Sequence, residues 1–134
     1  MKVSNYVFAG AALLLTACGG GKITDINDQR VYFAYDSAEI SGAAKDGLRA
    51  QSEYLKENKD KKIQIAGNCD ERGTQEYNLA LGARRANAAK NVLVKDGIEA
   101  KRIKTISYGK DRPIAKGSNE SAWKQNRNAT TTAQ

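Results

Sequence analysis

Apolar and polar positions along the chain fall into alternating strand and helix patterns. Val31-Tyr32-Phe33-Ala34-Tyr35 is aromatic and β-branched and ends at Asp36-Ser37, which predicts a strand stopped by turn residues. Ser41 is placed to cap a helix running to about Glu57, with Ala44, Leu48, Gln51 and Leu55 recurring on one face. Lys62-Ile63-Gln64-Ile65-Ala66 alternates as a half-buried strand that Gly67 is expected to end. Thr74 then caps a second helix, Glu76 suits its positive end, and Asp96-Gly97 stops it after Leu93-Val94.

At about 100° per residue, Leu79, Gly82, Ala83, Ala86, Ala89 and Leu93 of that second helix form one stripe, whose small residues allow close approach to a sheet. Asn78 and Arg85 fall about 20° apart on the adjacent flank and are expected at its rim. Ile103 to Tyr108 predicts a further strand closed by Gly109. A short helix around Glu120 to Gln125 and a last strand from Arg127 to Ala133 follow. Thr130-Thr131-Thr132 favours a strand but offers little to bury. Strands alternating with helices give an α/β chain, an α+β sandwich of one sheet and packed helices.

The 134 residues leave room for one domain, placed at 29–134. Its amino terminus has another character: Lys2 is basic, Val7 to Leu15 is apolar, and Leu15-Thr16-Ala17-Cys18 follows. The apolar run falls short of the ~20 residues a membrane span requires, so residues 1–17 read as a signal peptide. The tetrapeptide resembles the lipobox of bacterial lipoproteins, which makes Cys18 the expected lipidation site; the alternative is an ordinary signal peptide with a chance cysteine. Residues 18–28, opening with Gly19-Gly20-Gly21, are expected to form a flexible tether.

The formal charge of +7 falls by one when Lys2 leaves with the signal peptide. This basic balance favours anionic surroundings, and export sets nucleic acid aside. The chain has no histidine, which excludes Cys-His and Ser-His catalysis and histidine-ligated zinc. With Cys18 lipidated, Cys69 has no partner in the chain and reads as a buried filler. No metal and no cofactor are implied.

The segment Gly67-Asn68-Cys69-Asp70-Glu71-Arg72-Gly73-Thr74 sets Asp70 in a glycine-bounded loop ahead of the helix bearing Asn78 and Arg85. An acceptor-only carboxylate near a forked guanidinium suits a ligand that carries both an ammonium and a carboxylate. The plainer alternative is a surface salt bridge between Asp70 and Arg85, worth ~0–1 kcal/mol. Arg84 reads as a solvated charge, and Tyr32, Phe33 and Trp123 as core or interface residues. A hydrolase using Asp70 and Glu71 is a competing class, but glycosidase carboxylates stand ~5–9.5 Å apart across a bond, an arrangement foreign to neighbours in one loop. The site is therefore expected to bind and not to catalyse.

Val31 to Asp36, Gly67 to Asn78, Leu81 to Ala86, Ser107 to Lys110 and Asn126-Arg127 resemble the OmpA-like peptidoglycan-binding domain family. The resemblance implies a mixed four-stranded sheet with helices packed on one side and a pocket for the meso-diaminopimelate side chain of peptidoglycan. It carries the chief ligand contacts onto Asp70 and Arg85, with Asn78 between them and Tyr35, Asp36, Arg72 and Leu81 as supporting pocket positions. The chain departs from the family pattern at Asn128, where a second arginine is usual. The implied protein is non-enzymatic, lipid-anchored in the outer membrane and faces the periplasm. Its implied partners are peptidoglycan, TolB and other Tol proteins; a lipoprotein working mainly through protein partners is the alternative.

Overall fold

The structure, a computed structural model, describes residues 21–134; the expected signal peptide and lipidation site at Cys18 lie outside the described residues. Strands β1 (Gln29–Tyr32), β2 (Ile63–Asn68), β3 (Ile103–Gly109) and β4 (Asn128–Ala133) are interleaved with helices α1 (Gly42–Glu57), α2 (Gln75–Lys95) and α3 (Glu120–Asn126). The sheet order is β1-β4-β2-β3, with β4 antiparallel to both neighbours and β2 parallel to β3. This is a mixed four-stranded sheet, as the resemblance implies.

Capping sets the helix starts. Ser41 accepts from the Ala44 amide, Thr74 from Tyr77 and Asn119 from Ala122, each satisfying a donor that the first turn leaves free. Leu48 and Leu55 of α1 and Ala86, Ala89 and Leu93 of α2 pack with Ile63 and Ile65 of β2 in one core. Gln64, between those isoleucines, is not part of it, as the two-residue period of a strand requires.

Four expectations need correction. β1 stops at Tyr32, and beyond it the Phe33 amide donates to the Arg127 carbonyl at 2.9 Å; Phe33 is buried, but Tyr32 alternates outward and is exposed. Gly67 does not end β2, which continues to Asn68. The threonine-rich β4 is an interior strand: Ala129 and Thr131 face the core, and the Thr131 hydroxyl donates to Gln51 Oε1 of α1 at 2.7 Å. The fourth concerns the expected tether. Ile26 is buried in the core, Ile23 packs against it, and Asn27 Oδ1 accepts from the Ala133 amide, so residues 23–28 belong to the folded domain.

Candidate functional site

Two glycines bring α2 onto the carboxyl end of β2. A Cβ on Gly67 would lie 1.7 Å from the Gly82 carbonyl oxygen, and one on Gly82 would lie 2.2 Å from Ser107 Oγ. Only bare backbone permits that approach. Arg85, three residues beyond Gly82, is thereby carried under the loop that follows β2. That loop is tied down where the Cys69 amide donates to the Gly109 carbonyl at 2.8 Å.

The structure gathers Tyr35, Asp36, Asp70, Arg72, Asn78, Leu81 and Arg85 around one pocket of about 50 Å³. The helical projection misplaces two of them. Asn78 is 2% exposed and Arg85 only 1%, whereas Leu79, expected on the inner stripe, is 40% exposed. The Gly67–Gly82 contact turns the flank of Asn78, Leu81 and Arg85 inward, and segments 34–37 and 68–73 close over it.

Arg85 is held chiefly by backbone carbonyls. Its Nε donates to the Ser37 carbonyl at 2.8 Å, Nη1 to Asn68 at 2.9 Å and Nη2 to Ala34 at 3.1 Å. Among the described residues no carboxylate lies within ion-pair distance of it, so the surface salt bridge to Asp70 does not form. Burial pushes the Arg85 pKa below its ordinary value, with Cys69 opposing and the Arg127 charge reinforcing. A guanidinium nevertheless stays protonated and keeps two N–H groups beyond the three already engaged.

Asp70, 4% exposed, receives the Arg72 amide at 3.0 Å, Arg72 Nε at 3.2 Å, Arg72 Nη2 at 2.8 Å and, more weakly, Arg127 Nη1 at 3.5 Å. Burial alone raises its pKa, but the bonds from Arg72, its charge and Arg127 outweigh that and hold the carboxyl below its ordinary value. Asn78 Nδ2 donates to the Arg72 and Thr74 carbonyls, shaping the loop from beneath. Cys69 is buried, and its thiol donates to the Asn78 carbonyl at 3.3 Å; desolvation raises its pKa, as burial does for a thiol that fills space.

The rim is aromatic. The Arg72 guanidinium lies 4.0 Å from the Tyr35 ring centroid and 3.9 Å from that of Trp123. Trp123 Nε1 donates to Glu71 Oε2 at 2.9 Å, so Glu71 braces this stack beside the pocket. Asp36 adopts φ of 53°, a left-handed conformation that aspartate tolerates, and accepts from the Tyr77 hydroxyl across the pocket mouth. Tyr77, Trp123 and Arg127 are site residues that the sequence reading leaves out. Arg127 had a signal in the Asn126-Arg127 motif, yet its reach to Asp70, to the Phe33 carbonyl at 2.8 Å and to Glu120 at 2.9 Å is a tertiary fact.

Comparison with known proteins agrees with this architecture. The OmpA family matches residues 32–127. A peptidoglycan-associated lipoprotein from Mesorhizobium japonicum is 50% identical over 103 residues, covering 77% of this chain; the chain spans 61% of that relative's length. One from Haemophilus influenzae is 36% identical over 145 residues, covering 95% of each chain. The crystal structure of the peptidoglycan-associated lipoprotein from Burkholderia pseudomallei superposes with a TM-score of 0.77 at 40% identity, covering 79% of this chain and 90% of that one.

Proposed function

Because the chain belongs to the OmpA family, alongside the peptidoglycan-associated lipoproteins it resembles, we propose that its pocket binds the diaminopimelate side chain of peptidoglycan without catalysing any reaction. The observation that carries this reading is Arg85, a buried guanidinium with no carboxylate partner among the described residues and more N–H groups than the three carbonyls it engages, lining the same pocket as an ionised Asp70. A buried cation with no counterion calls for an anion from outside. Diaminopimelate ends in an ammonium and a carboxylate on one carbon. Its carboxylate fits the free edge of Arg85, and its ammonium takes the place of the long Arg127 contact on Asp70.

Pocket size supports a chain end over a larger ligand. About 50 Å³ lies far below the ~300–1,000 Å³ of sites that enclose a whole small molecule. The four bonds already made to Asp70 also argue against a general acid or base, since its proton affinity is committed to positioning Arg72. On this reading, lipid at Cys18 anchors the domain to the outer membrane, and the protein ties that membrane to the cell wall within the Tol–Pal system, with TolB and other Tol proteins as partners.

The test is calorimetry with matched stem peptides. Lysine in place of diaminopimelate keeps the ammonium but removes the carboxylate, leaving Arg85 donors unpaired at a cost of ~1–3 kcal/mol, about fivefold to a hundredfold in affinity. Equal affinity for the two peptides would remove Arg85 from recognition.

A further inference from the structure

The sheet face turned away from α1 and α2 carries a second concavity, a groove of about 370 Å³. Arg30 of β1, Thr130 and Thr132 of β4, and Gln64 and Asn68 of β2 line it, and Tyr108 and Arg112 close one side. The register explains the set: Gln64 faces Thr132, Ala66 faces Thr130, and Arg30 faces Thr130 from the other side, so all project from one face. Among the described residues no aspartate or glutamate lines the groove.

Two buried side-chain atoms among the described residues lack a hydrogen-bond partner, and both belong to this groove: the donor Arg30 Nε and the acceptor Asn68 Oδ1. Asn68 is itself more than nine-tenths buried, and its Nδ2 is committed to Asn128 Oδ1 at 2.9 Å, which fixes Oδ1 as the unpaired end. Buried polar atoms left unpaired are uncommon in folded proteins and cost free energy. We propose that this groove is a carbohydrate subsite that takes an N-acetylated amino sugar of a glycan strand.

The chemistry selects the ligand class. The unpaired pair demands a ligand that both donates and accepts, as hydroxyl and acetamido groups do; an apolar ligand offers neither, and a carboxylate or phosphodiester offers no proton to Asn68 Oδ1. The remaining lining mixes the amide of Gln64 and the hydroxyls of Thr130 and Thr132 with the apolar Ala66 and Ile114, as the polar and apolar faces of a sugar require, and Arg112 is stacked 3.6 Å over the Tyr108 ring, which leaves a flat cation–aromatic wall against which a sugar can lie. The volume falls within the ~300–1,000 Å³ of small-ligand sites. Asn68 joins this groove to the Arg85 pocket, since its carbonyl accepts from Arg85 Nη1 while its side chain lines the opposite face. The choice of an amino sugar rests on the peptidoglycan reading, in which the same polymer presents a stem peptide and a glycan.

The experiment is amide-resolved NMR titration of the chain from residue 18 onward, with Cys18→Ser, using chitotetraose as an uncharged N-acetylated probe and, separately, a diaminopimelate tripeptide. Chitotetraose is expected to shift the amides of Gln64, Asn68, Thr130 and Thr132, and Gln64→Ala and Arg112→Ala are each expected to weaken it about tenfold while the tripeptide affinity stays unchanged. The absence of shifts at millimolar chitotetraose, shifts confined to the Asp70–Arg85 pocket, or undiminished affinity in both variants would overturn the proposal. So would saturation of the same amides by inorganic phosphate in preference to chitotetraose, which would make the groove an anion site. Binding of chitotetraose without binding of the tripeptide would sustain the groove and sink the diaminopimelate pocket, so the two readings fail separately.

Discussion

Arg85 and Asp70 line one pocket and make no ion pair with each other. Arg85 spends three of its N–H groups on the carbonyls of Ser37, Asn68 and Ala34, while Asp70 is occupied by Arg72 and, at longer range, Arg127. Opposite charges are thus held apart by neighbours that satisfy each separately. A direct pair would neutralise the site, whereas this arrangement preserves a donor edge and an acceptor edge for a ligand.

The burial of Arg85 changes what its removal does. Arg85→Ala leaves the three carbonyls without their donor and opens a cavity beneath the loop, so it is expected to cost at least about 2 kcal/mol of stability as well as ligand binding. Arg85→Lys keeps the charge but not the fork, and is expected to retain more stability than Arg85→Ala while still losing discrimination between diaminopimelate and lysine peptides. Urea unfolding combined with peptide calorimetry separates the two effects.

Gly82→Ala is expected to be among the most damaging single-methyl changes in the domain, because its Cβ would meet Ser107 Oγ at 2.2 Å and the Gly67 carbonyl oxygen at 2.8 Å. Overpacking of this kind costs about 1–3 kcal/mol, and the outward shift of α2 withdraws Arg85 from its carbonyls. A lowered melting temperature together with weakened diaminopimelate binding is the expected outcome. Gly42→Ala, where an added Cβ meets nothing within 4 Å, is the control.

Asp70 sets an acid limit on stability. Its folded pKa lies below the ordinary 3.8, so the folded state binds that proton less readily than the unfolded chain does. The contribution is complete above the unfolded value and is lost as pH falls through the lowered folded value. Asp70→Asn should therefore be less stable than the parent at neutral pH, and the gap should narrow below about pH 4. Chemical denaturation at a series of pH values reads the slope; a gap that stays constant down to pH 2 would contradict the assignment.

Gln51 and Thr131 form a buried polar contact between α1 and the interior strand β4. Thr131→Val alone leaves Gln51 Oε1 without its donor and is expected to cost about 1–3 kcal/mol. Gln51→Leu in the same chain should recover part of that loss, giving a coupling energy in a double-mutant cycle. Additive losses would show that the hydroxyl contributes nothing through Gln51.

Much of this protein was legible along the chain. Ser41 and Thr74 mark helix starts because capping is a local hydrogen bond between residues three apart. The glycine-bounded Asp70 loop and the Asn78–Arg85 spacing announce a charged pocket because helical periodicity places those two on one face. The family resemblance also implied Tyr35, Asp36, Arg72 and Leu81, which come from three separate stretches and meet at one pocket.

What periodicity could not supply was which way that face turns. The rotation of α2 is decided by backbone contact between Gly67 and Gly82, a distance that depends on two segments meeting in space, and it moves Arg85 from an expected rim into the interior. The standing of β4 was hidden for a similar reason. A run of threonines has no hydrophobic signature, and only the pairing with β1 and β2 and the Gln51 contact make it an interior strand. Local chemistry, the caps, turns and charged residues of the loop, was determined by the sequence itself. Partners for Arg85 and Thr131, and the long Arg127 contact to Asp70, were decided by tertiary structure, because each joins residues well apart in the chain whose nearness no local pattern encodes, whereas the Arg72 bonds to Asp70 are local to the loop.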